Sequence, residues 1–171
     1  MRDVIIQGIG ILGMVFAILS FQCKSNKIFF VMQGLSGASF SLHFFLLCNP
    51  TAGYINMINI LRGYTFGYTK GRLRNLLTLA VTLLYTVSSL LTYDSWVSVL
   101  LMVVQISATA VMWTDNPHAI RYLQVFFVSP SWLYQNVLTG SIGGVICECF
   151  NMVSVLISFF RFGFRGQKRS S

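Results

Sequence analysis

The feature that most constrains this chain is a succession of apolar runs, each about as long as a bilayer is thick, separated by connections of a few residues. A helix that crosses lipid needs about 20 mostly apolar residues and satisfies its own backbone hydrogen bonds, which no lipid group can do for it. Seven such runs are found, at residues 4–21, 28–48, 52–68, 76–93, 96–114, 119–138 and 141–160. The sequence therefore predicts an all-α fold, a seven-helix transmembrane bundle in a single domain, residues 1–160.

The scarcity of charge excludes a water-soluble domain. Only 9% of the residues are charged and 55% are hydrophobic, whereas soluble domains carry about 25% charged residues. We therefore expect the lipid bilayer as the main partner. The net charge of +8 would favour nucleic acid in a soluble domain, but here the basic residues occupy connections and the tail, so we expect no nucleic-acid partner.

The distribution of Lys and Arg predicts the orientation. With seven spans, Arg2 alone lies on one side of the membrane. The basic residues on the other side are Lys24, Lys27, Lys70, Arg72, Arg74, Arg121, Arg161, Arg165, Lys168 and Arg169. Because cytoplasmic loops are enriched in positive charge, we expect the amino terminus outside and residues 161–171 as a basic cytoplasmic tail.

An internal repeat is indicated by sliding the sequence on itself by 91 to 92 residues. This offset aligns Gln33 with Gln124 and Asn59 with Asn151. Spans one to three and five to seven begin on the same face of the membrane, and the fourth span inverts the direction. The prediction is two parallel three-helix repeats, residues 4–68 and 96–160, joined by a linker helix, residues 76–93 (3+1+3). Such repeats place a substrate site near the bilayer midplane.

Polar residues gather at that depth in two matching stripes. The third span carries Asn56, Asn59 and Arg62, and the seventh carries Glu148, Asn151 and Ser154 at the same three-residue spacing. Residues three apart lie on one face of a helix, so each stripe should face the bundle interior.

Arg62 and Glu148 are candidates for an ion pair across the repeat axis. An arginine at the centre of a span costs about 2.5 to 3.5 kcal/mol on insertion scales and needs a partner or a wet cavity. Glu148 is the acid available within a span. The alternative is that these polar groups only hold helices together.

His43, Trp132 and Gln135 complete the predicted substrate-binding set with the two Asn residues and the charged pair. Trp132 lies two residues after Pro130, which should kink the sixth span and is a candidate hinge. Glycines at positions 8, 10 and 13, and the pair at 63 and 67, predict close-packed helix faces.

Several strings carry a family resemblance over most of the chain. They are His-Phe-Phe-Leu-Leu at 43–47, Ala-Gly at 52–53, Asn-Ile-Leu-Arg at 59–62, Gly-Ser-Ile-Gly-Gly at 140–144, and Glu148. In these the chain resembles the YgjV family of bacterial inner-membrane proteins. The resemblance implies an inner-membrane location and no particular biochemistry.

The layout more distantly resembles the SWEET and PQ-loop transporters. In that superfamily a Pro-Gln closes the first helix of a repeat, an aromatic residue lies late in the second and an Asn lies midway along the third. Here Phe21-Gln22 keeps the Gln without the Pro, and His43 stands where a Trp is usual. The resemblance implies a SWEET-like fold with Asn59 and Asn151 facing the substrate. The departures remove the basis for assuming the same hinge or stacking on a sugar.

The leading functional hypothesis is a transporter or facilitator of a small polar solute, and Arg62 would favour an anionic or zwitterionic solute over a neutral sugar. The alternative is a non-transporting membrane receptor or assembly component of the PQ-loop type. The sequence leaves the oligomeric state open, including a homo-oligomer.

An enzyme is not expected. Gly34-Leu35-Ser36-Gly37 matches the GxSG of rhomboid-type proteases, whose Ser needs a His base from another helix. His43 lies on the same helix about 10 Å away, and His118 lies in a connection. We therefore predict no catalytic residue. The four cysteines lack metal-ligand spacing, so neither a metal nor a cofactor is expected.

Overall fold

In a computed structural model, residues 2–20 and 26–162 are described, and this part of the chain consists of helices and short connections, with no strand. The helices are α1 (Arg2–Ser20), α2 (Asn26–Leu46), α3 (Pro50–Tyr68), α4 (Gly71–Leu91), α5 (Trp96–Trp113), α6a (Pro117–Leu123), α6b (Ser129–Thr139) and α7 (Ile142–Phe162). A π-helical turn, Gln124–Val128, joins α6a to α6b. The predicted all-α class is confirmed. Residues 21–25, which include Gln22, and residues 163–171, most of the predicted tail, lie outside the described part.

Two helices begin earlier than their apolar runs because of local capping. The Asn49 side chain accepts a hydrogen bond from the Ala52 amide at 3.0 Å, and Pro50 occupies the first turn of α3. Asn116 caps α6a in the same way, with Pro117 in its first turn. Proline suits this position because its missing N–H would have no helical partner there. Both helices therefore start two residues before the predicted spans.

α4 begins at Gly71, five residues before the predicted linker helix, because basic side chains do not interrupt a helix that emerges from lipid. Arg74 Nη1 donates to Asp115 Oδ2 at 2.8 Å. This ion pair ties the first turn of α4 to the connection between α5 and α6a. It lies at the basic end of the bundle, where both groups can be solvated.

The sixth span is broken next to Pro130, as predicted. Proline has no N–H, so the carbonyl four residues earlier loses its usual partner. The preceding turn widens into a π-helix, and the Ser129 amide donates to the Gln124 carbonyl. Such turns insert one residue into a helix and occur often at functional sites.

The helices form a closed ring. α1 packs on α2, α2 on α3, α3 on α5, α5 on both parts of α6, and α6b on α7, which closes on α1. α4 lies outside this ring, against α3 and α5. One apolar core runs through the bundle and includes Phe44, Ile55, Tyr85, Leu101 and Trp132.

Three helices of the described chain are long and apolar enough to cross a membrane: Asp3–Ser20, Gly71–Leu91 and Trp96–Trp113. A shorter apolar stretch is Ile142–Ile157. α2 and α3 have 21 and 19 residues and carry polar residues within their length. The other four predicted spans stay predictions.

Candidate functional site

Three cavities adjoin one another inside the ring. The central cavity has a volume of about 150 Å³, and two larger ones have about 610 and 630 Å³. Phe40 lines all three. The central cavity shares Asn56, Asn59 and Arg62 with the 610 Å³ cavity, and Gln124, Cys147 and Glu148 with the 630 Å³ cavity. The three cavities are therefore neighbours that share lining residues.

One wall of the central cavity presents a cation with neutral partners. Arg62 Nη1 donates to Gln105 Oε1 at 2.7 Å, and its Cζ lies 6.0 Å from the centre of the Tyr85 ring. The Tyr85 hydroxyl donates to Asn59 Oδ1 at 2.6 Å. Amide and aromatic groups thus hold the guanidinium without neutralising it.

The other wall presents acceptors. Glu148 of α7 receives a long hydrogen bond of 3.5 Å from Asn151 Nδ2. Asn136 of α6b is buried, lines the cavity and has no hydrogen-bond partner for its Oδ1 in the described structure. This oxygen is out of reach of solvent and packs against Gly144, so in the described structure the acceptor that faces the cavity is the Glu148 carboxylate.

The predicted ion pair between Arg62 and Glu148 is wrong. Both side chains line the central cavity, but they form no salt bridge with each other in the described structure. Gln105 takes the place of an acid at Arg62 Nη1. The two charges therefore face one space from different helices.

His43 does not line any of the three cavities. It is fully buried, with Nδ1 2.8 Å from the Ile6 carbonyl oxygen and Nε2 2.8 Å from Ser141 Oγ. A carbonyl only accepts, so Nδ1 carries the hydrogen of the first bond. The residue links α1, α2 and α7, and the structure does not bring it to the predicted substrate site.

The remaining predicted residues divide in the same way. Trp132 lines the central cavity, with its ring 5.9 Å from that of Phe44, and Asn151 lines the 630 Å³ cavity. Gln135 is buried and lines none of the three. Asn59, Arg62, Trp132 and Glu148 are thus brought together, Asn151 lies beside them, and His43 and Gln135 lie elsewhere. Whether any of them contacts a substrate stays a prediction.

The end of the bundle that holds His43 is closed by backbone contact between α1 and α7. A Cβ atom added to Gly143 would lie 2.5 Å from the carbonyl carbon of Gly10. The Gln7 side chain donates to the Gly140 carbonyl at 2.7 Å and accepts from the Ile142 amide at 3.1 Å. No space for a solute remains between these helices here.

The predicted close packing of the other glycines is partly correct. A Cβ on Gly10 would lie 2.8 Å from the His43 ring and one on Gly13 3.1 Å from Phe40, which confirms both. Gly8 and Gly63 have open space within 4 Å, so the prediction is wrong for them.

Ser36, the serine of the GxSG string, donates to the Gly13 carbonyl at 2.8 Å. His43 bonds to different partners, Ile6 and Ser141. The absence of enzyme activity stays a prediction.

Comparison with known families decides the family. The Imp-YgjV family model, described as bacterial inner membrane protein, matches residues 4–165. The chain belongs to the YgjV family. The predicted YgjV resemblance and the inner-membrane location are thereby confirmed. No curated protein and no solved structure matches the chain. The SWEET resemblance and the orientation of the termini stay predictions.

Three site residues of this YgjV-family chain escaped prediction: Tyr85, Gln105 and Asn136. Gln105 carries a detectable signal, since it is the one amide side chain in α5. Tyr85 lies on the linker helix, which the repeat prediction placed outside the site. Asn136 follows Val128 and Trp132 at four-residue spacing, and all three line the cavity, whereas Gln135 is one position off this stripe.

Proposed function

We propose that this inner-membrane protein is a transporter or facilitator of a small polar solute, with the central cavity as the solute site. The observation that carries the proposal is a polar cavity in which Arg62 and Glu148 both lie without an ionic partner among the described residues. Charges that only hold helices together in a membrane pair with each other, because an unpaired charge there is expensive. Charges kept apart around a cavity are typical of a site that water or a solute fills.

The position of the cavity supports the same function. Asn59 is the tenth residue of α3 and Asn151 the tenth of α7, in helices of 19 and 21 residues. Both therefore lie close to the middle of their helices, as a midplane site requires.

The access to the cavity supports one state of an alternating-access cycle. The two larger cavities extend from the middle of the bundle towards the carboxyl ends of α3 and α7, as their lining by Tyr68 and Val155 shows. With the orientation predicted from charge, this end is cytoplasmic. The opposite end is closed by His43, Gly10 and Gly143. We infer an inward-facing arrangement with a closed outer end.

The order of helices in the ring supports the parallel repeat. α1, α2 and α3 pack in sequence, as do α5, α6 and α7. The contact of α7 with α1 corresponds to that of α3 with α5 when one half is superposed on the other, and α4 lies outside as a linker. This is the arrangement that a two-fold axis along the membrane normal would produce.

The test is solute flux through the reconstituted full-length protein. Proteoliposomes are loaded with a panel of small anions, zwitterions, sugars and polyols, and the efflux of each is followed. We expect flux of one class, at least tenfold lower in the double variant Asn59→Ala/Asn151→Ala. Ser107→Ala, on a side chain that bonds to its own helix on α5, is the matched control and should leave the flux unchanged.

Flux indistinguishable from that of empty liposomes for every class would overturn the proposal. That outcome would favour the alternative, a receptor or assembly component.

A further inference from the structure

The central cavity has side chains of opposite charge on two of its walls. Its α3 wall presents donors, since the Arg62 guanidinium has five N–H groups and makes one hydrogen bond in the described structure, to Gln105. Its α7 wall presents acceptors, the two oxygens of the Glu148 carboxylate. A solute in this cavity meets positive charge on one side and negative charge on the other.

The volume limits the solute to a small one. At about 150 Å³ the cavity is smaller than the roughly 300 to 1,000 Å³ of pockets for drug-sized ligands. A solute in this cavity lies in the space that Arg62 lines from α3 and Glu148 lines from α7.

The charge balance then selects among solute classes. A neutral solute would displace water and leave both charges without an ionic partner. A simple anion would satisfy Arg62 but lie beside the Glu148 carboxylate, and a simple cation would lie beside Arg62. Only a molecule with an anionic group at one end and a cationic group at the other neutralises both walls.

We propose that the central cavity binds a small zwitterion, with its anionic group against Arg62 and its cationic group against Glu148. This assignment rests on the proposed function and names its solute class. The free edge of a guanidinium fits the two oxygens of a carboxylate, and an ammonium group supplies the donors that the Glu148 carboxylate oxygens accept. Trp132 and Phe44 close the apolar side of the same space.

The experiment is isothermal titration of the purified full-length protein with three-carbon probes that differ in charge. β-Alanine and alanine are the zwitterions, propionate the anion, n-propylamine the cation and propionamide the neutral control. We expect at least one zwitterion to bind at least roughly tenfold more tightly than each of the other three, because truncating one partner of a desolvated charge contact costs that much or more. Equal or tighter binding of a singly charged or neutral probe, or no binding of any probe, would overturn the proposal.

Two variants make the test reciprocal. In Glu148→Gln the zwitterion should lose at least tenfold in affinity while propionate gains, because the repelling carboxylate is gone. In Arg62→Gln the zwitterion should lose as much while n-propylamine gains. A purely structural role would weaken all probes together. Leu61→Ala, on an exposed side chain beside Arg62, is the control and should change no affinity.

The two proposals fail separately. Flux of a neutral or singly charged solute without zwitterion binding would leave the facilitator standing and overturn the zwitterion site. Zwitterion binding without flux of any solute would support the zwitterion site and overturn the facilitator. If the variants do not fold, the ranking of the five probes on the wild-type protein still decides.

Discussion

At the residue scale, Arg62 shows how a charge is kept in the middle of a membrane protein without an acid beside it. Gln105 accepts one hydrogen bond, the Tyr85 ring lies under the guanidinium, and Tyr85 in turn orients Asn59. These neutral groups lower the cost of burying the cation but leave its charge available. The site is thus held in place by residues that lie on α4 and α5, outside the two predicted polar stripes.

The bond between Tyr85 and Asn59 can be tested by a double-mutant cycle. Tyr85→Phe removes the 2.6 Å hydrogen bond and keeps the ring under Arg62. We expect a coupling of about 0.5 to 1.5 kcal/mol in the free energy of unfolding between Tyr85→Phe and Asn59→Ala, in the range of interhelical hydrogen bonds in membranes. Additive effects would contradict the bond. Tyr93→Phe, on an exposed tyrosine of the same region, is the control and should show no coupling to Asn59.

His43 should be a stability residue. His43→Ala removes the hydrogen bonds to Ile6 and Ser141. Because the His43 side chain is fully buried, its removal also leaves an empty cavity in the interior. We expect the free energy of unfolding to fall by about 2 to 5 kcal/mol, measured by denaturation in detergent micelles. Leu42→Ala, the neighbouring exposed side chain, should change it by less than about 1 kcal/mol. Unchanged stability with lost transport would instead place His43 in the solute path.

Single residues also show how far the sequence reaches. Asn59, Arg62 and Glu148 could be placed at the site because a polar residue inside an apolar run must face the interior, and helical spacing says which ones share a face. The same rule selected His43, which lines none of the three cavities, because a buried histidine bonded to a carbonyl and a hydroxyl has the same sequence pattern as one that lines a cavity. The pairing of Arg62 with Gln105 depends on the packing of α3 against α5, which no local pattern encodes.

At the element scale, the ends of the helices differ from the ends of the predicted apolar runs, for local reasons. The number and order of the spans agree with the prediction. Pro50 and Pro117 start their helices two residues early, and basic residues extend α4 at its beginning. The apolar pattern predicts where lipid begins, whereas capping decides where a helix begins. The π-turn at Gln124–Val128 could be predicted only as a kink, because Pro130 removes a hydrogen bond without specifying how the chain adjusts.

The contact between α1 and α7 should depend on the absence of a side chain at Gly143. In Gly143→Ala the new methyl group would meet the Gly10 backbone at 2.5 Å, so the two helices must separate. We expect a loss of about 1 to 3 kcal/mol in the free energy of unfolding, typical of overpacking, measured by thermal denaturation in micelles. Gly8→Ala adds the same methyl group to α1 in open space and should be neutral or slightly stabilising. Equal effects of the two variants would mean that α1 and α7 are not in backbone contact.

At the scale of the whole molecule, the ring is closed at one end and hollow towards the other. The closed end is held by backbone contact and by His43, and the hollow end is lined by polar side chains of α2, α3, α6 and α7. The sequence predicted that polar residues line the interior but not this asymmetry, because the backbone contact of Gly10 with Gly143 depends on how α1 packs on α7. A facilitator needs both arrangements, and the energetic difference between them lies in contacts such as Gly10 with Gly143.

Cysteine labelling in membrane vesicles tests both the orientation and the asymmetry. On a background in which the four native cysteines are replaced, single cysteines are introduced as Asp3→Cys at the amino terminus, Ser154→Cys in the 630 Å³ cavity, and Ser141→Cys at the closed end. A membrane-impermeant maleimide should label position 154 only in inside-out vesicles and position 3 only in right-side-out vesicles, because the cavity and the amino terminus lie on opposite sides. Position 141 should resist labelling from either side until the protein is denatured, since its side chain is fully buried.

Labelling of positions 3 and 154 from the same side would contradict the orientation or the sidedness of the cavity, and rapid labelling of position 141 would show that the outer end opens in the resting protein.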